Sequence, residues 1–67
     1  MTKFNERLKK LRAEKDLTQR QLADELHLSV KTISHYESGY SEPSLDILIK
    51  ICIYFDIDSD YLLGLKD

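Results

Sequence analysis

The chain has 67 residues, 42% of them apolar and 33% charged, with a formal net charge of −2 and one cysteine. A domain of this size buries only about 60% of the surface its unfolded chain exposes, enough for one core and little else. The composition excludes a disordered tract and an internal disulfide, and no run approaches the roughly 18 apolar residues of a membrane span. The charge is uneven. Residues 1–37 hold eight Lys/Arg and six Asp/Glu, a balance of +2, whereas residues 38–67 hold two and six, a balance of −4. A polyanionic partner therefore belongs to the first half. "MTKFNERLKKLR" has no continuous apolar core and does not read as a secretory signal. The expectation is a cytoplasmic, nucleoid-associated protein with no membrane segment, all-α, forming a single domain over residues 1–67.

Five helical segments follow one another. The first spans about Phe4 to Lys15. At about 100° per residue, Phe4, Leu8 and Leu11 share one stripe and Arg12 lies at its edge. The second, about Gln19 to Leu26, opens with Thr18 followed three residues later by Gln21, the spacing of a capping box. Its apolar face is Leu22, Ala23 and Leu26. After the three-residue turn "HLS", Ser29 is a suitable N-cap and Gly39 a suitable left-handed stop for a third helix, Val30 to Ser38. Two short helices joined by so tight a turn form a helix-turn-helix unit. Ser44 caps a fourth helix, Leu45 to about Phe55, in which only Asp46 and Lys50 are polar. Such a helix is expected to be covered on most sides. Asp58 or Ser59 caps a short fifth segment carrying Tyr61, Leu62, Leu63 and Leu65.

The third helix has two unlike sides. Ile33 and Tyr36 anchor a core side that also holds Thr32 and Glu37. Val30, Lys31, Ser34, His35 and Ser38 occupy the other. An ammonium, an imidazole, a hydroxyl and a small apolar group together suit the edges of base pairs. Lys and His donate to the guanine O6 and N7, Ser donates or accepts, and Val packs on a thymine methyl. Taken alone, an ordinary solvated face explains the same residues.

The stretch "LTQRQLADELHLSVKTISHYESGYSEPSLDILIKI" resembles the helix-turn-helix of the phage-repressor family, the lambda Cro/cI or XRE type. "FNERLKKLR" is similar to that family's first helix and "DIDSDYLLG" to its closing segment. The resemblance rests on Leu17-Thr18-Gln19, Leu22-Ala23, Ser29, Ile33-Ser34, Glu37, Gly39 and Pro43-Ser44-Leu45 taken together. It implies a sequence-specific double-stranded DNA-binding regulator, a repressor and not an enzyme, with no cofactor. It places Val30, Lys31, Ser34 and His35 against base edges. It places Thr18, Gln19, Arg20, Tyr40 and Ser41 near the DNA backbone. A helix N-terminus, with unpaired N–H groups and a positive dipole end, favours a phosphate in any case.

Two departures from the family stand out. His27 occupies a turn position where many relatives have glycine. The loop "YSEP" carries Glu42 and no cation, which shifts weight to Lys31, Gln19, Arg20 and Lys10. Glu37, on the core side, needs a partner. Arg12 is the obvious one, a structural ion pair that the resemblance also implies.

One domain reads few base pairs, so a homodimer is expected. Its candidate interface is Ile53, Tyr54, Tyr61, Leu63 and Leu65, unless the fifth helix merely covers the fourth. An antitoxin-like regulator with a protein partner, or a protein-interaction module on the same scaffold, remains an alternative. No metal site is expected. His27, His35 and Cys52 lack zinc spacing, and Asp56, Asp58, Asp60 and Asp67 match a calcium loop that puts Tyr61 where glycine is needed. Ser29, Ser34, His35 and Glu37 lie on one short helix and cannot enclose a substrate.

Overall fold

A computed structural model describes residues 2–67. Among them are five helices: α1 (Phe4–Glu14), α2 (Gln19–Leu26), α3 (Val30–Ser38), α4 (Leu45–Phe55) and α5 (Ser59–Leu63). α1 ends one residue earlier than the apolar stripe suggests, because Lys15 serves as its cap and Asp16 turns left-handed at φ 56°.

The helix ends are set by local chemistry. Thr18 Oγ1 accepts the Gln21 N–H at 3.0 Å, and Gln21 Oε1 accepts the Thr18 N–H at 2.8 Å. This reciprocal box starts α2 and satisfies two donors that would otherwise lack partners. Ser29, Ser44 and Asp58 start α3, α4 and α5 by accepting the N–H three residues ahead. α2 ends on His27, which adopts the left-handed conformation at φ 58°. Histidine pays a steric penalty there that glycine does not. Lys50 of α4 donates to the Leu26 carbonyl, so a cation from another helix occupies the negative end of α2.

Each amphipathic stripe meets the others in one core. Phe4, Leu8 and Leu11 of α1, Leu22, Ala23 and Leu26 of α2, Ile33 and Tyr36 of α3, Ile51 and Phe55 of α4 and Leu62 of α5 are buried together. α3 lies between α1 and α2, and α5 closes against α1 and α4. The Phe4 and Tyr36 rings meet edge-to-face, 5.7 Å apart at 71°. Complete burial of a side chain such as Ile33 contributes about 1.5–3 kcal/mol, so α3 is fixed by its core side and its other side is left free.

The chain ends are tied together. The Lys3 N–H donates to the Leu63 carbonyl at 3.2 Å. Arg7 donates to the carbonyls of Tyr61 and Lys66 at 2.9 and 3.0 Å, and its guanidinium lies 4.4 Å from the centre of the Tyr61 ring. Gly64, at φ 85°, has no room for a side chain, since a Cβ there would stand 2.9 Å from the Lys3 side chain.

The apolar surface of α4 is covered on most sides but left open on one: Leu45, Ile49 and Ile53 are 76%, 56% and 75% exposed. They recur at every fourth residue and so form a single outward stripe. Only five helices are available, and α5 is a single turn of five residues. It buries Leu62 and leaves the far side of α4 open. No described helix is long and apolar enough to cross a membrane.

Candidate nucleic-acid interface

α3 presents the two sides that its sequence pattern suggests. Ile33 and Tyr36 are buried, Thr32 and Glu37 are half-buried, and Val30, Lys31, Ser34 and Ser38 are exposed. His35 is half-buried, and the Tyr40 ring lies against it, with centroids 4.5 Å apart at 47°. Val30, Lys31, Ser34 and His35 thus share the side of α3 that faces away from the core.

The chain beyond α3 is also placed by hydrogen bonds. Gly39, at φ 82°, ends the helix in the left-handed conformation and reverses the backbone. The His35 carbonyl then accepts the Tyr40 N–H at 2.9 Å, the Ser41 N–H at 3.3 Å and the Ser38 hydroxyl at 3.2 Å. Tyr40 is 78% exposed, yet its backbone is held one turn from His35. Ser41 is half-buried beside it.

At the start of α2, Thr18 is exposed and committed to its capping box. Arg20 is exposed. The N–H groups of Gln19 and Arg20 have no backbone partner among the described residues, so this end of the helix offers two donors to an anion. The Gln19 side chain is less free than its position suggests. It is half-buried, and its amide nitrogen donates to Glu37 Oε1 at 3.2 Å. The backbone end of α2, rather than the Gln19 amide, keeps its donors free.

Arg12 and Glu37 hold the helices in register. Arg12 Nε donates to Glu37 Oε2 at 2.6 Å and Nη2 donates to Oε1 at 3.0 Å, a two-point pairing. Arg12 Nη1 also donates to the Leu17 carbonyl at 2.6 Å. Only 4% of the Glu37 side-chain surface and 16% of that of Arg12 are exposed. The hydrogen bond to Glu37 raises the Arg12 pKa further above its ordinary value, against the opposing effect of burial. This network joins α1, the α1–α2 turn, the first residue of α2 and the last turn of α3. It ties the start of α2 to the end of α3.

The residues expected at a dimer interface differ in exposure. Ile53 and Leu65 are exposed, whereas Tyr54, Tyr61 and Leu63 are half-buried within the domain. Tyr61 lies beneath Arg7, and Lys15 approaches the Tyr54 ring to 5.0 Å. Leu45 and Ile49 join Ile53 on the exposed side of α4; their spacing is visible in the sequence, but their exposure is not. The acidic tail residues have local tasks. Asp58 caps α5 and pairs with Lys66 at 2.6 Å, and Asp56 ends α4 in the left-handed conformation at φ 55°. The Lys66 ammonium and the Tyr61 N–H hold the Asp58 carboxyl below its ordinary range. Burial pushes the Cys52 thiol up, away from thiolate chemistry.

Comparison with known proteins gives this architecture a family. A family profile described as helix-turn-helix matches residues 8–62. The transcriptional activator BcrR of Enterococcus faecalis is 44% identical over 61 residues, covering 91% of this chain and 30% of that protein. The CTXphi phage transcriptional repressor RstR of Vibrio cholerae is 39% identical over 62 residues, covering 92% of this chain and 55% of that protein. A transcriptional regulator of Listeria innocua superposes on the whole chain with a TM-score of 0.91 at 31% identity, over 63% of its own length. The chain thus spans between about a third and three fifths of the length of these relatives. With α2, the His27–Ser29 turn and α3 as its central unit, the chain belongs to the helix-turn-helix family of the phage-repressor type.

Proposed function

We propose that this protein binds double-stranded DNA sequence-specifically and regulates transcription, with α3 in the major groove and α2 across the phosphate backbone. The observation that carries this reading is the outward side of α3. Val30, Lys31 and Ser34 are free of any structural task, next to a helix whose core side is fully committed. Lys31 and His35 supply donors for guanine, Ser34 a hydroxyl, and Val30 a surface for a thymine methyl. The α2 N–H groups at Gln19 and Arg20, the Arg20 side chain and the loop residue Ser41 take the backbone. Thr18 shapes that helix end through its capping box. The related proteins include both a named activator and a named repressor. Repression by occupying an operator is the simpler mode, since it requires no surface beyond the DNA-contacting one. The cytoplasm is the compartment such a protein would work in.

A homodimer belongs to the proposal. The domain's longest dimension is 28 Å, short of the roughly 34 Å between successive major-groove faces on one side of a duplex. Reading two half-sites therefore takes two copies. Ile53 and Leu65 are the members of the expected interface that remain exposed, and Leu45 and Ile49 extend the Ile53 stripe. Sedimentation at rising concentration tests this: the parent should self-associate and an Ile53→Glu chain should not; a monomeric parent would refute it.

Selection of bound duplexes from a randomised library tests the function. It should enrich a short half-site, and Lys31→Ala should relax preference at particular base pairs at a loss of about 1–3 kcal/mol. Failure to enrich any sequence at low salt would instead favour a protein-interaction module on this scaffold.

A further inference from the structure

We infer that Tyr40 is a positioning residue for base recognition: its ring fixes the orientation in which the His35 imidazole is presented to the major groove. The inference rests on the proposal that α3 reads DNA, and it assigns Tyr40 a different task from a phosphate contact.

Three observations support it. The Tyr40 and His35 rings are 4.5 Å apart at 47°, within the range of favourable tilted aromatic contacts. The Tyr40 backbone is not that of a free loop. Gly39 at φ 82° reverses the chain, and the Tyr40 and Ser41 N–H groups both bond to the carbonyl of His35 itself. The residue that supplies the tilted ring is therefore anchored to the residue whose ring it touches. Finally, Tyr40 is 78% exposed and is not part of the core, so its ring has no packing role that would explain its place.

The consequence is chemical. A histidine on an open helix face samples several rotamers and presents either ring nitrogen to a base edge. With the Tyr40 ring tilted against the imidazole, fewer rotamers of His35 are open, and its nitrogens point in a restricted set of directions. An oriented donor discriminates between base pairs, whereas a freely rotating one loses part of that selectivity to the entropy of ordering on binding. The tyrosine hydroxyl has no part in this, so phenylalanine should serve as well.

The test uses duplexes selected by the parent chain and a panel in which each base pair of the half-site is substituted in turn. His35→Ala should flatten preference at one or two positions by about 5- to 150-fold. Tyr40→Ala should flatten the same positions by about 2- to 10-fold, with other positions unchanged. Tyr40→Phe should restore the parent's profile. Thermal unfolding of all three variants should match the parent, since neither ring is in the core.

Undiminished preference in Tyr40→Ala would overturn the inference and leave the DNA-reading proposal standing. Equal weakening of every duplex in both Tyr40→Ala and Tyr40→Phe would also overturn it, identifying the hydroxyl as a backbone contact. A His35→Ala chain with the parent's full profile would overturn it too, because His35 would then read no base. If the parent selected no sequence at all, the proposed function would fail, and this inference with it.

Discussion

Replacing Arg12 with alanine should be the most damaging single change outside the apolar core. The substitution leaves the Glu37 carboxylate, with 4% of its side chain exposed, facing a void where two charge-assisted hydrogen bonds had been. Removing one partner of a buried pair costs about 3–5 kcal/mol, mostly through the stranded charge. The lower end applies here, about 3 kcal/mol, because Arg12 itself reaches solvent and Gln19 still donates to Glu37. The Leu17 carbonyl also loses its bond from Arg12. For a domain of this size, whose whole stability is about 3–10 kcal/mol at roughly 0.05–0.15 kcal/mol per residue, that is a large share. Urea unfolding followed by circular dichroism should show the midpoint falling with the slope unchanged. Thermal scans should show a loss of about 12 °C or more. A double variant, Arg12→Met with Glu37→Gln, removes both charges and should recover more than half of the loss. A loss under about 1 kcal/mol in Arg12→Ala would refute the claim that this pair is a buried structural link. So would a double variant no better than the single one.

Three other outcomes follow from the geometry. His27→Gly should stabilise the protein by about 0.5–1 kcal/mol, because relief of left-handed strain at φ 58° exceeds the extra chain entropy of glycine; a lower melting temperature would contradict this. Ser44→Ala should destabilise by about 1 kcal/mol through loss of the α4 cap, seen as a lower urea midpoint. The folded-state pKa of Asp58 is depressed by Lys66 and the Tyr61 N–H. Its contribution is therefore present above the ordinary carboxylate pKa near 4. That contribution is lost as pH falls through the lower folded value. Amide exchange in α5 should accelerate below that range, and Asp58→Asn should remove this acid step.

The sequence revealed much of the fold because the decisive signals were local. Thr18 with Gln21, Ser29, Ser44 and Gly39 act within three or four residues of themselves, so the spans of α2, α3 and α4 could be read from spacing. The division of α3 into a core side and an outward side was legible for the same reason: helical periodicity and residue type settle it together. Arg12 and Glu37 could be matched because each was the misfit on an apolar stripe.

What stayed hidden depends on contacts between distant segments. Lys50 reaching the Leu26 carbonyl and Arg7 reaching the carbonyls of Tyr61 and Lys66 join residues 24 to 59 positions apart. No spacing rule predicts them. The apolar character of α4 was plain, but periodicity does not say which side a neighbour will cover, so the openness of Leu45, Ile49 and Ile53 required the packed structure. The family resemblance implies that Gln19, at the start of α2, lies near the DNA backbone. In three dimensions that start lies over the end of α3, and Glu37 claims the amide. The Tyr40–His35 contact is intermediate between these cases. Gly39 signalled a left-handed stop, and the reversal that brings Tyr40 back towards His35 is the usual consequence of such a stop.

The central claim is that α3 reads base sequence while the surrounding donors hold phosphates. Fluorescence anisotropy with a selected duplex and a scrambled duplex, each at several salt concentrations, addresses both halves together. Affinity for the selected duplex should be at least about 10³-fold above that for the scrambled one. The log–log salt slope should lie near −0.9 per phosphate contacted on both duplexes. Equal affinity for the two duplexes, or a flat salt dependence, would contradict the claim.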